Sequence, residues 1–199
     1  MNTDSWVKRA RALAWFGLCY NVLEAALSIG FGARDRSLSL LGFGCDSLIE
    51  AAAAALILWR FQSVVKGLED EREEAAQKWI SVLLLGLAAY LLISAGMRVI
   101  QGQGPVEGGA GIWISLVSLG VMAWLYRAKV ACATALNSKA LKADAFCSLS
   151  CMWLSGLLLL GSALFVGTHL FWFDALTTLA MAVLIIREAA EEYDESHGS

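Results

Sequence analysis

Apolar stretches long enough to cross a bilayer recur along the whole chain, and this feature restricts the fold more than any other. A hydrocarbon core about 30 Å thick takes roughly 20 residues of helix. Six segments of that order read as helices, at about residues 6–29, 39–66, 75–100, 111–129, 138–166 and 170–190. In lipid each backbone polar group needs a partner within the protein, so the expected fold is an all-α, integral membrane bundle of six transmembrane helices. Composition agrees: 58% of residues are hydrophobic and 17% charged, with mean hydropathy +0.63, whereas soluble domains are about half apolar and a quarter charged. Residues 1–190 read as one transmembrane domain, with no room for a soluble domain between spans. Residues 191–199 form a short acidic tail whose closing Gly198-Ser199 resembles an expression scar.

The breaks carry turn chemistry. Gly30-Phe31-Gly32-Ala33-Arg34 and Gln101-Gly102-Gln103-Gly104-Pro105 read as glycine-rich turns, and Lys66-Gly67-Leu68-Glu69-Asp70 as the start of a charged hairpin. The first segment has basic residues ahead of it, as a signal peptide does. However, it contains Asn21 and Glu24 and lacks a small-residue cleavage site, so it counts as the first span.

Basic residues concentrate on cytoplasmic flanks. With both termini inside, Lys8, Arg9, Arg11, Arg60, Lys66, Arg72, Lys78, Arg127, Lys129, Lys139, Lys142 and Arg187 share the cytoplasmic side, leaving Arg34, Arg36 and Arg98 outside. Trp59, Trp79 and Trp124 fall near the inner boundary, and Trp113 and Trp172 near the outer one. The net charge of −3 gives no reason to expect nucleic acid. Five cysteines, mostly within apolar segments, do not make a secreted disulfide framework.

Ionisable groups inside a span are costly and mark function by default. Asp46 and Glu50 lie one turn apart on the second helix, and no lysine or arginine is expected at their depth. On the fifth helix Asp144, Cys147 and Cys151 recur on one side. At a rise of about 1.5 Å per residue both pairs reach the bilayer middle. Asp46-Ser47-Leu48-Ile49-Glu50 and Cys147-Ser148-Leu149-Ser150-Cys151 share one form, two ligands bracketing Ser-Leu-x, in helices expected to run in opposite directions. Asp46, Glu50, Cys147 and Cys151 together offer the four oxygen and sulfur donors of a tetrahedral zinc site. The alternative for the cysteines is simple packing.

These residues also carry a family likeness. Gly44-Cys45-Asp46-Ser47-Leu48-Ile49-Glu50 resembles the second-helix carboxylate pair of the cation diffusion facilitators, and Ala143-Asp144-Ala145-Phe146-Cys147-Ser148-Leu149-Ser150-Cys151 resembles their fifth-helix motif. There, alanine-aspartate leads to a histidine and, four residues later, an aspartate; here cysteine stands at both positions. Tyr20-Asn21-Val22-Leu23-Glu24 and Phe173-Asp174-Ala175-Leu176 extend the likeness to the first and sixth helices. The resemblance looks closest to a short, transmembrane-only branch lacking the cytoplasmic metal-sensing and dimerising domain. It implies a homodimer that exports divalent metal ions across the plasma membrane, the inner membrane in a bacterium.

The remaining candidates each have a plainer reading. Asn21, Glu24 and Ser28 make a polar stripe that can add a ligand, relay protons or form a buried structural cluster. Asp144 can join either role. Asp174 and His169 can form a weak outer site, or cap the sixth helix and sit on the surface respectively. Glu69, Asp70, Glu71, Glu73 and Glu74 can gather cations or form a solvated hairpin. Cys19, Cys45 and Cys132 read as packing residues. Gly102, Gly104 and Gly108 follow no strand and make no nucleotide loop.

The functional expectation is export of zinc and cadmium by alternating access in exchange for protons, with no prosthetic group. A passive metal channel or a metal sensor would share the site. A thiol oxidoreductase is more distant, because Cys147 and Cys151 are not spaced C-x-x-C. H-E-x-x-H and G-x-S-x-G are both lacking, which leaves hydrolysis without a motif.

Overall fold

A computed structural model describes residues 3–62, 69–102, 105–106, 108–137, 139–170 and 172–197. Among them are six helices: α1 (Thr3–Asp35), α2 (Leu38–Gln62), α3 (Glu69–Gln101), α4 (Gly109–Leu136), α5 (Lys139–Thr168) and α6 (Trp172–His197). The all-α expectation holds. By length and composition four described stretches can cross a bilayer: Ser5–Asp35, Val82–Gln101, Gly109–Leu136 and Asp144–Thr168. The exterior is correspondingly apolar, with Val22, Leu23, Ile93, Trp113, Trp153 and Val183 all exposed, as suits side chains that face lipid.

Helix ends differ from the sequence reading in several places. The first expected turn is helical, because α1 runs through Gly30 and Gly32 to Asp35, and the chain reverses at Arg36, which has φ 55°. Gly32 serves packing there: a Cβ would stand 2.8 Å from the Leu41 backbone nitrogen. The acidic stretch at Glu69 opens α3 as helix, where carboxylates suit the positive end of the helix dipole. Residues 63–68 lie outside the described residues. The acidic tail continues α6 to His197. By contrast, the break after Gln101 is where glycine chemistry places it, with Gly102 at φ 64°.

Helices α1, α2, α5 and α4 pack in sequence around a closed ring, each against the next. Helices α3 and α6 pair with each other and lie against α2, and α6 also meets α5. Thus α2 touches four neighbours and holds the centre. Its approach to α1 depends on Gly44, where a Cβ would stand 2.9 Å from the Ile29 backbone nitrogen and from Ser28 Cβ. The apolar core includes Phe43, Leu91, Met122, Leu125, Leu154, Leu158, Met181 and Ile185. Between α4 and α5, Ser118 and Ser155 share a 2.8 Å hydrogen bond, polar glue of the kind helices use in lipid.

Candidate metal centre

The close α1–α2 contact turns the polar stripe of α1 toward the two carboxylates of α2, and α5 closes the third side. One carboxylate oxygen from each of Asp46 and Glu50 and the Cys151 sulfur all lie within 4.8 Å of one another. All three side chains are buried, with exposures of 1%, 8% and 0%. Ligand atoms around a tetrahedral zinc ion stand about 3.5 Å apart, given metal–ligand bonds of about 2.0–2.3 Å. Rotamer adjustments of about 1 Å would therefore close the three donors on an ion.

Hydrogen bonding separates the acidic groups by role. Neither oxygen of Asp46 has a hydrogen-bond partner, and neither does Glu50 Oε1. Asn21 Nδ2 donates to Glu50 Oε2 at 3.2 Å, while Asn21 Oδ1 is buried without a partner. Glu24 is saturated: Tyr20 Oη donates to Oε1 and Ser47 Oγ to Oε2, each at 2.9 Å, and the Cys151 thiol approaches Oε2 at 3.9 Å. So Glu24 ties α1 to α2 and α5, whereas Asp46 points its acceptors into the cluster with nothing donated to them. A buried unpaired carboxylate costs several kcal/mol. The unpartnered Asp46 carboxylate and the half-partnered Glu50 carboxylate converge on a thiol, an arrangement that a cation would relieve.

The other expected site residues fall elsewhere. Cys147 is half-buried and outside the three-donor group. Asp144 pairs with Lys129, whose Nζ lies 2.8 Å from Asp144 Oδ1, both residues being 5% exposed. Lys129 was expected on the cytoplasmic flank. It is buried because α4 continues to Leu136, and the apolar run Val130-Ala131-Cys132-Ala133 that follows it was the available signal.

Asp174, at the start of α6, reaches across to another helix. It caps α2, accepting from the Leu38 and Ser39 backbone nitrogens at 3.1 and 3.3 Å and from the Ser37 and Ser39 hydroxyls. Arg98, whose guanidinium also donates to the Arg36 carbonyl, stands 3.8 Å from the same carboxylate. His169 is exposed in the α5–α6 turn at φ 56°, edge-on to Phe165. The side chains of Glu69, Asp70, Glu71, Glu73 and Glu74 lie outside the described residues.

A helical membrane bundle with carboxylates and a thiol brought together in its interior defines a class: polytopic membrane proteins that hold ionisable groups inside the bundle. The particular family follows from comparison. Residues 76–197 match the cation efflux transmembrane domain, and the chain belongs to that family, whose members are transporters rather than enzymes. The matched range includes Asp144, Cys151 and Asp174 but not Asp46 and Glu50. A relative, "Transmembrane protein 163" of Xenopus laevis, is 22% identical over 147 residues, covering 73% of this chain and 52% of its own. The chain thus spans about half the length of that curated relative.

Proposed function

We propose that the protein exports zinc-like divalent cations, cadmium included, from the cytoplasm through the Asp46–Glu50–Cys151 centre, in exchange for protons. The carrying observation is the Asp46 carboxylate, 1% exposed and unpartnered on both oxygens, within 4.8 Å of another carboxylate and a thiol. Membership of the cation efflux family supports metal transport as the activity. One thiolate beside two carboxylates is a donor set for borderline cations, softer than the all-oxygen sites that suit magnesium or calcium. Asn21 Oδ1 or water would supply the fourth donor.

Metal binds only deprotonated ligands, so protons and metal compete for the same atoms. In alternating access the outward-facing centre releases metal and takes up protons, and the inward-facing centre reverses both. The cytoplasmic side is assigned from the lysine and arginine bias of the flanks. The proposed working unit is a homodimer in the plasma membrane, or the inner membrane of a bacterium.

Flux in proteoliposomes tests this reading. Zinc uptake should be driven uphill by an imposed pH gradient, and zinc addition should release protons from lightly buffered vesicles. Zinc flux with no pH signal would indicate a passive pathway, and absence of metal flux would overturn the assignment.

A further inference from the structure

The buried Lys129 ammonium is held as a bound cation is held. Its Nζ lies 2.8 Å from Asp144 Oδ1, 2.9 Å from Ser148 Oγ and 3.3 Å from the Asp144 carbonyl oxygen. Ser148 Oγ stands 3.4 Å from that same carbonyl, so its proton can point there while a lone pair faces the ammonium. Three oxygens therefore converge on one positive centre in a buried pocket between α4 and α5, and Nζ also lies 3.8 Å from where a Gly17 side chain would begin on α1. Positions 144, 148 and 151 follow one face of α5, which puts this pocket about 10 Å along the helix from Cys151. It lies toward the end of the bundle that carries Arg9, Arg11, Arg127 and Lys142.

We propose that Asp144 and Ser148 form a second divalent-cation subsite on the inner approach to the carboxylate–thiol centre, filled by the Lys129 ammonium as a tethered stand-in until a metal ion displaces it. This rests on the transport reading above and extends it. The donors are hard oxygens, one of them charged, so the subsite accepts zinc or manganese without the thiol preference of the deeper centre. An arriving divalent ion would bring the carboxylate more charge than the ammonium does. The released lysine, on a flexible four-carbon stem, can swing its head toward water. When the ion moves on to Asp46, Glu50 and Cys151, Lys129 returns and closes the approach behind it.

The test is zinc stoichiometry on the purified full chain by titration calorimetry. Wild type should bind one ion per chain, Lys129→Met two, and Lys129→Arg one. In the Lys129→Met background, Asp144→Asn should remove the added ion alone, and Asp46→Ala should remove the original ion alone. A Lys129→Met chain that binds a single ion overturns the proposal while leaving the deeper centre standing. A wild type that binds none overturns the transport reading itself. If Lys129→Met folds only when zinc is present during purification, that rescue reads the same subsite. Failure of rescue while Lys129→Met with Asp144→Asn folds would overturn the proposal.

Discussion

At the scale of single residues, the acidic groups are distinguished by what donates to them. Asp46→Asn and Glu50→Gln each keep shape and remove a negative ligand, so each should reduce zinc flux to background in vesicles while leaving insertion and expression intact. Asn21 holds one oxygen of Glu50. Asn21→Ala should therefore weaken metal affinity by about 10–100-fold, the usual cost of losing a ligand's outer partner, measured as a rise in the zinc concentration at half-maximal flux. The cysteines divide the same way. Cys151→Ser should lower the cadmium-to-zinc ratio in competitive flux, whereas Cys147→Ser should leave it unchanged, because only the Cys151 sulfur stands in the donor group. Spacing made Asp46 and Glu50 legible, since groups four apart share a helix face and have no innocent reason to be in lipid. Spacing could not rank the cysteines. They differ by about 40° around α5, and which one faces α2 depends on how α5 is rotated by its packing against α4.

At the scale of helices, the six helices and the all-α class were legible because hydropathy is a local signal, while the contacts that join helices were not. Gly32 reads as a turn residue and Gly44 only as the first residue of the second-helix motif, yet both serve α1–α2 contact. At Gly44 the obstructing atoms include backbone, so Gly44→Ala should force the helices apart. A stability loss of about 1–3 kcal/mol is expected from such overpacking, together with loss of flux, checked by thermal unfolding in detergent. Asp174 is the converse case. A carboxylate at the start of α6 suggests a cap for its own helix, but its four donors belong to the start of α2, and no pattern within either segment links residues 135 to 137 positions apart. Losing a cap costs about 1 kcal/mol, up to about 2. Asp174→Ala also takes the carboxylate from beside Arg98, so its effect should sit at or above the top of that range, and Asp174→Asn should recover part of it.

For the whole molecule, the two ends of the bundle are fastened by different chemistry. Asp174, Arg98 and the Arg36–Ser39 segment fasten α2, α3 and α6 at one end, and Lys129 with Asp144 fastens α4 to α5 toward the other. Since metal and protons compete for Asp46, Glu50 and Cys151, zinc affinity should fall as pH is lowered, and Asp46→Asn should flatten that dependence in a binding titration. The cap on α2 has a further consequence for biogenesis. Synthesis delivers α2 before α6, and the residue that satisfies its first turn arrives more than a hundred positions later, on α6. Until α6 emerges, the backbone N–H groups at the start of α2 lack the Asp174 carboxylate that accepts from them. Maturation of α2 is thereby tied to the emergence of α6, and a chain interrupted before residue 174 is expected to leave that helix start open.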